Sequence, residues 1–408
     1  MPARAEFALT HMAPTGECVG HDAHGQEIRV RGAVPGDVVV AQGHAQRGQR
    51  RREFALQRPA LERRVSPCAA QRECGGCALM PLEIEAQRRV KVEMLRAALA
   101  AEACEVPELA WGDTRAVGAY RNRVRLRIED GRIGFFNRAK RDDCYVLDRG
   151  LVQALAELQV LRERASRELA SFAHCELRAP DLDGRPGLAF GRAEAPSRGA
   201  LRSVRELLPR FLVGEVNDPE IPCQRRKLAK DVDGLVPLDA FLQVNDAVNA
   251  RLIDWVCAHV GSTGAARVLD LFAGAGNFSL PLAALGLRVT AIERHPASVA
   301  ALRRAAHAQG LACEALAAPV EDALPAIAGA SRFDCVLVDA PRAGAGNLLS
   351  RVRELGSERV VLCSCYAPGF ARDLSVLRRA GYAIRKVVLW DMFPETHHLE
   401  SVALLTRE

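Results

Sequence analysis

Asp270-Leu271-Phe272-Ala273-Gly274-Ala275-Gly276-Asn277 closes an apolar strand, Val268–Phe272, and opens onto an apolar helix from Phe278. Glycines at such a strand-to-helix turn let the backbone approach a ligand closely. A dinucleotide fingerprint calls for glycine at 279, where this chain has Ser279, and makes no use of an acid at 270. Asp270 at the strand end and Glu293 at the end of the next strand suit a ligand with an ammonium group and a ribose but no pyrophosphate. Glu293 can accept both ribose hydroxyls, and Asp270 can act through water or the loop amides. These features point to S-adenosylmethionine, against a nicotinamide cofactor or a purely structural turn.

From about residue 236 the chain alternates strands and helices. Strands are expected at Arg267–Phe272, Arg288–Glu293, Phe333–Asp339 and Arg359–Cys363. This βαβ pattern gives a parallel sheet wrapped by helices. Two final strands, Tyr382–Trp390 and Leu399–Leu405, are joined too tightly for a helical crossover and should pair antiparallel.

Ligands of such sheets bind outside the carboxyl ends of the strands. Asp270, Glu293, Asp339 and Cys365 all fall at or just beyond those ends, and Glu400 begins the last strand at the same rim. Cys363 reads as a core residue, whereas Cys365, beyond the strand, is placed to act as a thiolate. A thiolate and a carboxylate beside a methyl donor fit one reaction. C5 of a pyrimidine is too weak a nucleophile until a thiolate adds at C6, and a base must then remove the C5 proton. Exocyclic-amine methylation would leave Cys365 idle and would want an aromatic residue where Arg342 stands.

Leu242-Gln243-Val244-Asn245, the 270–277 loop, Asp339-Ala340-Pro341-Arg342-Ala343-Gly344, Ser364-Cys365 and Asp391-Met392-Phe393-Pro394…His398-Leu399-Glu400-Ser401 resemble the RNA (uracil-5-)-methyltransferases, in particular the 23S rRNA type. The resemblance implies that Gln243, Phe272, Asn277, Glu293 and Asp339 contact S-adenosylmethionine, joining Asp270 and Gly274 of the loop. It places the nucleophile at Cys365 and the base at Glu400. Two departures stand out: Ala340 replaces the family's usual first proline, and Tyr366-Ala367 replaces its Asn-Pro after the nucleophile. The same chemistry on tRNA, or an RNA-binding ribosome-assembly factor with impaired catalysis, are the competing readings.

At 408 residues the chain should form two or three domains, and 49% hydrophobic residues supply their cores. The net charge of +6 is small, but basic runs at Arg47–Arg52, Arg58–Arg64, Arg121–Arg127, Arg138–Arg141 and Arg225–Lys230 all lie upstream of the cofactor loop. That distribution favours nucleic acid as partner. Residues 1–57 read as short strands between Gly and Pro turns, a five-stranded OB-like barrel; the resemblance makes it a TRAM domain. Ile84–Ala101 reads as a helix, with Val92, Leu95 and Leu99 on one face and Arg88, Arg89, Lys91 and Arg96 interleaved. Arg121–Ile128 alternates strictly, as a strand with one basic, solvent-directed face does.

Thirteen cysteines without an export signal argue against a disulfide framework. Cys68, Cys74 and Cys77 form a tight trio, with Cys144 the candidate fourth ligand. Spacing leaves zinc and an iron–sulfur cluster both open; the family resemblance implies a 4Fe–4S cluster. No signal peptide and no apolar run of the ~18–20 residues that span a bilayer are found, so a cytoplasmic monomer without a membrane partner is expected. The expected fold is α/β: a Rossmann-like, seven-stranded class I methyltransferase domain over 236–408, an iron–sulfur-bearing mixed domain over 58–235, and the barrel over 1–57.

Overall fold

The computed structural model describes residues 5–21, 24–25, 27–41, 50–51, 54–114, 118–135, 144–192, 198–261 and 266–408. The basic run at Arg138–Arg141 and most of Arg47–Arg52 lie outside them. No helix among the described residues is long and apolar enough to cross a membrane.

The C-terminal sheet has eight strands, one more than expected. Its order is Cys313–Ala317, Arg288–Glu293, Arg267–Leu271, Cys335–Asp339, Arg359–Ser364, Glu400–Arg407, Tyr382–Trp390 and Leu109–Trp111. The first five are parallel, and Glu400–Arg407 runs antiparallel between Arg359–Ser364 and Tyr382–Trp390. The additional strand, Leu109–Trp111, comes from far upstream and adds in parallel to Tyr382–Trp390. Three residues carry too little periodicity to announce a strand.

Central strands such as Cys335–Asp339 are apolar up to their last residue because helices cover both faces of the sheet. The turn after Arg267–Leu271 is left-handed at Phe272 (φ +62°), Gly274 (+58°) and Gly276 (+93°). A Cβ at Gly276 would stand 2.4 Å from Leu302 Cδ1, and with its left-handed backbone this makes glycine the residue that lets the loop sit down on helix Pro296–Ala308.

The N-terminal sheet holds six strands rather than five. Their order is Arg50–Arg51, Glu27–Val30, Cys18–His21, Ala5–Met12, Val38–Ala41 and Ala55–Arg58. Its core of Phe7, Leu9, Ile28, Val30 and Val39 continues into Leu82 and into Ala86 and Val90 of helix Ile84–Ala101. That helix has the bounds its periodicity predicts. Leu95 and Leu99 turn to the methyltransferase core instead, so one helix is shared by both modules.

Between them stands a five-stranded sheet, ordered Leu212–Glu215, Gly187–Arg192, Phe172–Arg178, Arg123–Glu129 and Arg132–Phe135. Arg123–Glu129 alternates as expected, with Val124, Leu126 and Ile128 buried. A hairpin, Cys223–Ala229 with Val232–Pro237, then leads back to the large sheet.

Candidate active site

Helix Asp246–Gly261, the hairpin and the 272–277 turn enclose an open pocket of about 580 Å³ above the carboxyl ends of the parallel strands. Its lining, apolar with a few convergent polar groups, suits a small-molecule ligand. Gln243, Phe272, Gly274, Asn277 and Asp339 of the sequence-predicted set line it. Gln243 is buried, and its Oε1 has no hydrogen-bond partner within the protein. Asn277 and Asn249 bond reciprocally through their amides at 2.8 and 3.1 Å.

Asp270 and Glu293 serve the turn itself. Asp270 is fully buried and accepts a 2.5 Å bond from Ser279 Oγ, which explains the serine found where a dinucleotide site wants glycine. Its other oxygen is unpartnered. Burial pushes its pKa up to about 7, with Asp339 and Glu293 adding repulsion. Glu293 accepts from Gly274 N at 3.0 Å and His295 N at 2.8 Å. The loop amide therefore goes to Glu293, where the sequence had suggested Asp270. Arg226, Phe241 and Asn249 also line the pocket. The sequence pointed to Arg226 only as part of the basic run Arg225–Lys230, and it did not point to Phe241 or Asn249.

A second pocket of about 280 Å³ surrounds Cys365, walled by Tyr366, His397, His398, Lys91 and Pro14. Pro14 belongs to the N-terminal module, and a Cβ on neighbouring Gly16 would stand 2.6 Å from the His397 ring. Burial pushes the Cys365 thiol up to about 11, the charges of Glu400 and Asp339 add to this, and the Arg342 guanidinium beside it opposes them. Glu400 faces Trp390 in the strand register. It is fully buried, its Oε1 lacks a partner, and burial together with Asp339 raises its carboxyl well above the usual range. The predicted rim residues do converge. Cys363 is core, as expected.

His397 and His398 are pushed down to about 4 and about 3, chiefly by burial, with nearby cations adding, and so stay neutral. Both departures from the family pattern fit without disturbance. Ala340 is buried and donates its N–H to the Cys363 carbonyl at 3.1 Å. Tyr366 donates its backbone N–H to Ser364 Oγ at 3.3 Å and precedes helix Ala367–Arg379.

All thirteen cysteines are free thiols. Burial pushes Cys77 up to about 12, with Cys144 and Cys74 adding; Cys144 is raised by burial, with Cys74 and Cys68 adding. Cys68, Cys74, Cys77 and Cys144 thus share one neighbourhood, although among the described residues no group of three is arranged to hold a single metal ion.

The basic surface is less free than its sequence suggests. On Arg123–Glu129, Arg123 pairs with Glu176 at 3.1 Å and Arg127 with Glu129 at 2.7 Å, while Arg125 meets His174 at 2.8 Å. In the next basic run Arg225 engages Asp183 and Asp233, Lys227 engages Asp233, and Arg226 is buried.

The parallel sheet, its left-handed glycine turn and the pocket above its strand ends define a class I S-adenosylmethionine-dependent methyltransferase. A family described as tRNA (Uracil-5-)-methyltransferase matches residues 229–313 and 326–408. The 23S rRNA (uracil(1939)-C(5))-methyltransferase of Halomonas elongata is 35% identical, over 98% of this chain and 89% of the relative. Its counterpart in Chromohalobacter salexigens is 32% identical, over 98% and 89%. The solved tRNA (uracil-54, C5)-methyltransferase of Pyrococcus abyssi, in complex with S-adenosyl-L-homocysteine, shares the fold at a TM-score of 0.75 and 22% identity, covering 98% of this chain and 100% of that one. The chain belongs to the RNA uracil-C5 methyltransferases, enzymes that methylate uridine C5 in RNA from S-adenosylmethionine.

Proposed function

We propose that the substrate is a uridine of 23S rRNA, with Cys365 as nucleophile and Glu400 as base. The observation that carries this is the convergence of Cys365, Glu400 and Asp339, from three separate strand ends, beside the cofactor pocket. The 23S rRNA assignment draws on the full-length relatives.

Gln243, Phe272, Gly274, Asn277 and Asp339 hold S-adenosylmethionine, with Asp270 and Glu293 fixing the turn beneath it. When bound, it supplies an electrophilic methyl group on a sulfonium. In the free enzyme the Cys365 thiol keeps its proton; once the uracil binds, the thiol gives that proton up to solvent and Arg342 stabilises the resulting thiolate. The thiolate adds to C6 of uracil, and C5 becomes enolate-like and takes the methyl group. Glu400 then removes the C5 proton, the C6–S bond breaks and the thiolate leaves. A base stacked in a helix cannot reach a pocket this enclosed, so the uridine is extruded or lies in a loop.

Cys68, Cys74, Cys77 and Cys144 suit a 4Fe–4S cluster: four free thiols from two chain segments, with Arg121 offsetting their charge. The cluster would tie residues 68–77 to Cys144 within 58–235, where Cys68, Cys77 and Cys144 pack against the core of the methyltransferase domain, and methyl transfer itself moves no net electrons. The six-stranded N-terminal module, 1–57, acts as the TRAM-type RNA-binding domain.

The test is incubation with 5-fluorouridine RNA and S-adenosylmethionine. Fluorine cannot leave as a proton, so an SDS-stable protein–RNA adduct is expected with 23S rRNA fragments and not with Cys365→Ala. Trapping by Cys365→Ala equal to that of the wild type rejects the nucleophile. Faster methylation of tRNA than of 23S rRNA transcripts rejects the substrate.

A further inference from the structure

Helix Ile84–Ala101 lies far upstream of the reacting residues, yet its inward face ends on the loop that delivers Glu400. The Lys91 side chain has no solvent exposure. Its ammonium donates to Asp391 Oδ1 at 2.6 Å and to the Phe393 carbonyl at 3.0 Å. One turn earlier, buried Gln87 grips Glu395 twice: Nε2 donates to the carboxylate at 2.8 Å, and Oε1 accepts from the Glu395 backbone N–H at 3.0 Å. Arg64, from the segment before the helix, closes on both Glu395 oxygens at 2.7 and 2.6 Å. Leu79 N–H donates to the Glu395 carbonyl, and the Tyr120 hydroxyl donates to the Pro394 carbonyl, each at 3.0 Å.

Glu395 stands at φ +69°, a backbone conformation that a non-glycine residue seldom adopts without support. The support comes from partners some 270 to 330 residues away in sequence. The loop then continues through His397 and His398, which wall the Cys365 pocket, directly into Glu400. Buried ion pairs are a poor source of stability, since desolvating two charges offsets their attraction. Two of them on the short span Asp391–Glu395 point to geometry.

We propose that Lys91, Gln87 and Arg64 are positioning residues for the last chemical step: acting through Asp391 and Glu395, they set the loop so that Glu400 reaches the C5 proton. The inference rests on Glu400 being the base. Addition at C6 and methyl transfer need Cys365 and the donor, and only proton removal needs Glu400. Loosening the loop should therefore slow release of methylated product more than it slows formation of the adduct.

Two full-length variants test this. Glu395→Gln keeps the shape but weakens the grip of Arg64. Lys91→Met combined with Asp391→Asn removes both charges together, so that neither is left buried and unpaired. With ordinary uridine RNA each should release product about 10²-fold more slowly than the wild type, the scale of a small misplacement of a reacting group. Methylated, SDS-stable adduct should accumulate. For Glu395→Gln, at a residue outside the pocket wall, trapping on 5-fluorouridine RNA should stay within about threefold of the wild type, since it ends before proton removal. Loss of trapping and release in equal proportion, or wild-type turnover with only a lower melting temperature, overturns the proposal. Glu400→Gln, run alongside, separates the two assignments. If it accumulates no adduct, the base assignment falls first and this inference falls with it.

Discussion

The rim of the large sheet and the basic strands upstream, on the five-stranded sheet and the hairpin after it, treat charge in opposite ways. At the rim, Asp270, Gln243 and Glu400 are buried and each keeps an oxygen with no partner in the protein. Upstream, Arg123, Arg127, Arg225 and Lys227 each meet an acidic side chain within 3.1 Å. A buried polar atom left unsatisfied costs on the order of 1–3 kcal/mol, a cost that a ligand bound at the rim can remove. A surface ion pair contributes about 0–1 kcal/mol and asks for nothing further. The difference separates groups kept for a substrate from groups kept for one another.

The comparison can be broken most decisively at Cys365. Cys365→Ala should cut methyl incorporation into RNA by at least about 10³-fold, because no other group there can add to C6. Glu400→Gln should slow turnover by about 10²–10⁴-fold, the range of general-base contributions, and leave methylated adduct on ordinary uridine. Gln243→Ala should weaken S-adenosylmethionine binding by about tenfold in calorimetric titration, the value of one hydrogen bond to a charged or strongly polar ligand. An unchanged Kd would mean that its orphaned oxygen is not a ligand contact.

A smaller effect concerns pH. Asp270 and Asp339 are raised to about 7 by burial. Between roughly pH 4, where unfolded carboxylates titrate, and pH 7, the ligand-free folded protein binds more protons than the unfolded chain. Stability from these groups is therefore greatest at the acid end and falls as pH rises through about 7. A cationic donor favours their ionised forms and offsets that loss. The Tm increase on adding S-adenosylmethionine should be larger at pH 8 than at pH 6, and S-adenosylhomocysteine, without the sulfonium charge, should show a weaker trend. The smallest effect is expected at Arg225, already held by Asp183 and Asp233. Arg225→Ala should leave the salt dependence of RNA binding nearly unchanged. A slope lowered by about one phosphate contact would place this residue with the rim instead.

Much of the site was legible because its parts are local. The glycine turn needs left-handed backbone at Gly274 and Gly276, and a strand end announces Asp339 or Cys365 by its position after an apolar run. Lys91 shows where such reasoning fails. Its place on an amphipathic helix reads as one more solvated cation, yet it is sealed against Asp391. Nothing in the heptad around it encodes a carboxylate 300 residues away. The basic runs misread in the same way: alternation correctly turned Arg123, Arg125 and Arg127 outward, but it could not see the neighbouring strand that supplies Glu176 and His174.

The sequence by itself determined the glycine turn, the bounds of helix Ile84–Ala101, the parallel strands and the candidate thiol and carboxylate at the strand ends. Each of these follows from backbone geometry or side-chain period over a few residues. Only the tertiary structure decided that Leu109–Trp111 extends the large sheet, that Pro14 of the N-terminal module reaches the Cys365 pocket, and that Arg64, Gln87 and Lys91 hold the loop before Glu400. Those contacts join segments with no shared local pattern. They form because burying the faces of three modules against one another removes water from each charged or polar group, which must then find its partners across the interface.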